Sequence, residues 1–143
     1  MLVQIAVGVA LVVLASVIQG LFMLFGIRFL YKQLEHRGAI QKEEVRVMMV
    51  SGFTAWMFLG MIVQALLWAM FYLWNPAMAE LPDLESALYF SMVTFTTLGY
   101  GDIVLTDSWR ILSAIESANG AIAVGWTTAL IFYVIQHVYR HDK

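Results

Sequence analysis

Three long stretches of the chain carry almost no charge, and polar blocks separate them. The first runs from Met1 to Ile27 and ends at Arg28. At about 1.5 Å per residue it makes roughly 40 Å of helix, enough to cross a hydrocarbon core about 30 Å thick with some tilt. Its basic residues follow the apolar run instead of preceding it, so it reads as a retained helix and not as a signal peptide. The second runs from Val47 to Ala79, with Trp68, Tyr72 and Trp74 near its far end, where aromatics suit a membrane interface. The third runs from Ile111 to Tyr139 and is broken by a single carboxylate, Glu116.

A shorter apolar segment, residues 84–96, lies between the second and third stretches. As a helix it would span roughly 20 Å, too little to cross the membrane, and it predicts a re-entrant half-helix. Asp83 is placed to cap its start and Glu85 to add negative charge to its first turn, where the helix dipole favours it. Thr106 or Asp107 can cap the last span in the same way. The pattern predicts an all-α membrane protein with three transmembrane helices plus a re-entrant helix and loop.

Composition agrees, since 62% of residues are hydrophobic and the net charge is −2. The charge gives no support to a nucleic-acid partner, and the lipid bilayer is the expected surrounding. There is no cysteine, so disulfides and thiolate metal sites are excluded, and no cofactor is implied. Arg28, Lys32, Arg37, Lys42 and Arg46 fall in the first connection, and Arg140 and Lys143 in the tail. If both segments are cytoplasmic, the N-terminus is extracytoplasmic, the C-terminus is cytoplasmic, and residues 75–110 face outward. Glu80, Asp83, Glu85, Asp102 and Asp107 then form an acidic outer surface in a multi-pass protein of a plasma or bacterial inner membrane. Connection 28–46 reads as a short helical hairpin turning at Gly38, with contact to anionic lipid as the other reading. The first span lacks basic residues at three-residue spacing and is no voltage sensor.

Residues 96–102 read TTLGYGD. Irregular backbone at membrane depth is tolerated where it is buried in protein or lines a polar cavity. Gly99 and Gly101 permit backbone angles that swing successive carbonyls of residues 97–101 to one side, with the Thr97 hydroxyl below them. A preceding half-helix would aim its negative, carbonyl end at a cation near the membrane centre. One loop cannot surround an ion, so a symmetric assembly is predicted.

TTLGYGD resembles the selectivity-filter signature of tetrameric potassium channels, usually Thr-Val-Gly-Tyr-Gly-Asp, and DSWRILSAIE resembles the inner-helix start of small bacterial members. The resemblance covers residues 47–140 and implies an outer helix 47–74, a pore helix 84–96, a filter 97–101 and an inner helix 108–140. Residues 1–27 would be an additional N-terminal transmembrane helix joined by the cytoplasmic connection 28–46. It implies a homotetramer in which Thr97, Leu98, Gly99 and Tyr100 supply oxygens to dehydrated K+, with Gly101 and Asp102 at the outer mouth. Leu98 replaces the commoner Val or Ile. Phe90 and Val93 stand where many members carry a Trp that donates to the filter aspartate and some carry a Glu, so filter support is altered at both positions.

Several further positions are candidates. Glu116 either supports the filter through pore-helix hydroxyls such as Ser91 or Thr94, or acts on ions directly. Gly120 and Gly125 read as a hinge or as close helix packing. Ile122, Gly125, Ala129, Tyr133 and His137 recur at helical spacing, and the resemblance turns this stripe toward the pathway, with Tyr133 and His137 as a gate; a solvated interfacial histidine is the other reading. The expected function is a passive potassium-selective channel subunit. The alternatives are a weakly selective Na+/K+ channel, a transporter subunit, or a non-conducting regulatory subunit. An enzyme is not expected, because the outer carboxylates have no histidine or serine organised around them.

Overall fold

The computed structural model describes residues 1–35, 42–106 and 109–139, and these are helical with no strand among them. The helices are α1 (Leu2–Glu35), α2 (Glu43–Trp74), α3 (Leu84–Phe95) and α4 (Arg110–Tyr139). α1, α2 and α4 are long and apolar enough to cross a membrane, with mean hydropathies of 2.5, 1.8 and 1.5. α3, at 12 residues, is about 18 Å long and cannot.

Two helices extend beyond the uncharged stretches. α1 continues through Arg28 and Lys32 to Glu35, and α2 begins at Glu43, ahead of Val47. Arg, Lys and Gln are good helix formers, and Glu43 and Glu44 sit in the first turn of α2, where negative charge is favoured. Gly38, the expected turn, lies outside the described residues, as do Arg37, Asp107, Arg140 and Lys143.

Side-chain pairing gives the relative directions. Gly8 abuts Ile115 and Leu112, Gln19 donates to Thr127, and the Tyr31 and Tyr133 hydroxyls meet, so α1 runs parallel to α4. Gly26 abuts Phe53 and Trp56, and Gly60 abuts Phe22, so α1 is antiparallel to α2. One end of the bundle therefore gathers the start of α1, the end of α2, the start of α4 and the carboxylates Glu80 and Asp83. The other end gathers Arg28, Lys32, Lys42 and Arg46.

A buried polar chain ties the three long helices together midway. Gln64 Nε2 donates to Gln19 Oε1 at 2.6 Å, and Gln19 Nε2 donates to Thr127 Oγ1 at 2.9 Å. Such bonds contribute about 0.6 kcal/mol each in a membrane, so their value lies as much in fixing the register of α1. On the Trp74 side, Trp68, Tyr72, Phe90, Phe95 and Leu112 form the main apolar core. On the Arg28 side, Leu30, Phe53, Met57, Val134 and Val138 form a second cluster, and the Arg46 guanidinium lies 5.6 Å from the centre of the Tyr139 ring.

Candidate functional site

The residues around TTLGYGD are organised by the two ends of α3. At its start the Asp83 carboxylate accepts from the Ser86 N–H at 2.8 Å, with Glu85 in the first turn. At its end the Thr96 hydroxyl donates to the Met92 carbonyl at 2.7 Å. The chain then folds back: the Thr97 N–H donates to Thr94 O at 2.9 Å, and the Leu98 and Gly99 N–H groups donate to Val93 O at 3.0 and 3.2 Å. The last carbonyls of α3 are thereby satisfied by the N–H groups of the segment that follows.

The carbonyls of residues 97–101 are left otherwise. Among the described residues no backbone N–H donates to them. φ is positive at alternate positions, +61° at Thr97, +56° at Gly99 and +79° at Gly101. Alternation of this kind rotates successive peptide planes so that their oxygens can gather on one side, and glycine bears it without Cβ cost. Thr97 bears it as a non-glycine residue, a sparsely populated conformation held here by the fold-back onto Thr94. The side chains of Leu98 and Tyr100 stand 56% and 67% exposed in the single chain.

Glu116 joins α4 to the middle of α3. It is fully buried, with the Ser91 hydroxyl of α3 donating to Oε1 and the Tyr72 hydroxyl of α2 donating to Oε2 at 2.5 Å. Ser91 Oγ also lies 2.8 Å from the Ala65 carbonyl oxygen. One carboxyl thus links α2, α3 and α4, and of the pore-helix hydroxyls named from sequence the structure brings Ser91 to it. Tyr72 went unrecognised in the sequence, where it reads as an interfacial aromatic. It is buried together with Trp68, one turn away on the same face, while Trp74 alone of the three is exposed.

Phe90 has no polar atom to offer and packs edge-on against Tyr72, with ring centroids 5.4 Å apart. Val93 takes part through its carbonyl, as above. Asp102 nevertheless has a donor that sequence reasoning missed: the Tyr89 hydroxyl, 2.7 Å from Oδ2. This bond holds the Asp102 carboxyl below the ordinary carboxylate range. Glu80, read from sequence as part of the acidic outer surface, accepts from both the N–H and the hydroxyl of Thr106, and the hydroxyl likewise lowers its carboxyl. Thr106 is therefore engaged with Glu80, at the point where it was expected to cap the last helix.

The remaining candidates lie along α4. A Cβ on Gly120 would overlap the Phe95 carbonyl oxygen, whereas around Gly125 nothing lies within 4 Å. Ile122, Gly125 and Ala129 lie on an uncovered face. Tyr133 turns its hydroxyl to Tyr31 of α1 at 2.8 Å. The His137 ring sits against both Tyr31 and Tyr133, at 5.3 and 5.8 Å between centroids. Tyr133 and His137 are thus tied to the first helix.

An ion channel family model matches residues 53–137, more than half of the chain. The match begins inside α2, takes in α3 and TTLGYGD, and ends inside α4, leaving α1 outside it. No curated protein and no solved structure matches.

Proposed function

The chain belongs to this ion channel family, and we propose that it is a potassium-selective subunit conducting dehydrated K+ passively along the axis of a homotetramer. The carrying observation is the run of carbonyls at residues 97–101. Their oxygens receive no backbone donor among the described residues, while the adjacent N–H groups are consumed by the end of α3. A row of unpaired carbonyl oxygens is what a cation stripped of water needs. On this reading α3 is the re-entrant pore helix, residues 97–101 the filter, Asp102 the outer mouth, and α4 the helix that lines the pathway. The exposed Leu98 and Tyr100 support a neighbouring subunit, because both would otherwise lie uncovered beside the pathway. The basic end of the bundle is cytoplasmic and the acidic end faces out, following the charge asymmetry.

The test is potassium flux from liposomes containing the purified chain, paired with Gly99→Ala. Flux is expected from the native chain and not from the variant, since a methyl group at φ +56° would strain the filter backbone. Flux unaffected by the substitution would remove residues 97–101 from the pathway. Reversal potentials in mixed potassium and sodium then decide selectivity: a potential near zero points to a weakly selective cation channel of the same architecture.

A further inference from the structure

α1 and α2 touch closely where Gly26 abuts Phe53 and Trp56 and where Gly60 abuts Phe22. Trp56 is held at this contact by its indole N–H, which donates to the Phe22 carbonyl at 2.9 Å, and by its ring against Phe22 at 4.8 Å. Toward the basic end the two helices leave a groove of about 870 Å³. That is within the range of about 300–1,000 Å³ typical of small-molecule sites. Its walls include Phe25, Phe29, Met48, Met49 and Trp56, and Gly52 of α2 contributes no side chain to them. Arg28 and Lys32, one turn apart on α1, also line it.

We propose that this groove is a binding site for one anionic phospholipid, with an acyl chain between α1 and α2 and its phosphate on Arg28 and Lys32. The apolar walls fit a hydrocarbon chain, and the two cations at one helix-turn spacing fit a phosphate. Basic pockets between transmembrane helices recognise anionic headgroups through this combination. A second copy of the chain fits less well, since in a parallel assembly it would bring the same cations to the same level. The site lies between α1 and the first turns of α2, with only Phe53 and Trp56 of its lining inside the matched family region, and at the opposite end of the bundle from residues 97–102, so it stands or falls independently of conduction.

Native mass spectrometry of the purified full chain, loaded separately with phosphatidylglycerol and phosphatidylcholine, tests it. One phosphatidylglycerol per chain is expected to persist under activation that strips phosphatidylcholine. Arg28→Gln is expected to lower that retention about fivefold. A Cβ at Gly52 meets nothing within 4 Å, and Gly52→Phe is expected to abolish retention by filling the groove while every charge and the number of chains per assembly stay the same. Equal retention of the two lipids, or unchanged retention in Arg28→Gln, would overturn the proposal. Phosphatidylglycerol retained by Gly52→Phe would mean surface attraction alone, and a loss of chains from the assembly in that variant would mean that a second copy occupies the groove.

Discussion

α4 is held differently in its two halves. Toward Arg110 it is bound by directional contacts to rigid neighbours: Glu116 takes hydroxyls from α2 and α3, and Gly120 lets the helix approach the Phe95 carbonyl, which leads into residues 97–101. Toward Tyr139 it is bound to α1 instead, by the Gln19–Thr127 and Tyr31–Tyr133 hydrogen bonds, by the His137 ring against both tyrosines, and by apolar packing. The first half is fixed to α2 and α3, beside the segment that leads into residues 97–101, and the second is fixed chiefly to α1.

The strongest way to break this comparison is to substitute the two glycines in turn. Gly120→Ala puts a methyl group into the Phe95 carbonyl, and neither backbone can yield without shifting the end of α3. Loss of folded, assembled protein on size-exclusion chromatography is expected. Gly125→Ala meets nothing within 4 Å and should raise thermal stability by about 1 kcal/mol through helix propensity. If both variants fold equally well, the close approach at Gly120 does not order the end of α3.

A smaller effect is expected at Glu116. Glu116→Ala leaves the buried Tyr72 hydroxyl without an acceptor, at about 1–3 kcal/mol, while the Ser91 hydroxyl keeps the Ala65 carbonyl. Glu116→Gln keeps an acceptor oxygen and should recover most of that loss. Thermal unfolding in detergent reads the difference, and an Ala variant as stable as the Gln variant would mean that the carboxyl does not join the three helices.

The long apolar runs made the spans legible, because periodicity and length alone determine whether a helix can cross a bilayer. α3 and its Asp83 cap were legible from the shortness of the run and the position of Asp83, and TTLGYGD from its glycines. What escaped were pairings between distant positions. Tyr72 reads as an interfacial ring until α3 and α4 are seen to bury it, and Tyr89 reads as one more pore-helix aromatic until Asp102 comes back beside it. Gln19 and Gln64 stand alone in apolar runs, and only the antiparallel packing of α1 on α2 reveals them as a pair. Nor does sequence spacing distinguish Gly120 from Gly125, since each is a helical glycine and only the neighbouring backbone differs.

The finest test concerns Tyr89, which supplies Asp102 with the donor that Phe90 cannot. Its hydroxyl favours the ionised form of Asp102, so the folded-state carboxyl titrates below its ordinary range. The contribution of ionised Asp102 is therefore present at neutral pH and is lost as pH falls through that lowered value. Tyr89→Phe removes the bond and should move the loss to higher pH, toward the ordinary carboxylate range, while leaving flux at neutral pH nearly unchanged if the bond acts mainly through the titration. Potassium flux measured against external pH in the two proteins reads the shift directly. Coincident acid limbs would mean that Tyr89 does not brace Asp102, leaving Glu116 and Gly120 as the contacts that fix the end of α3.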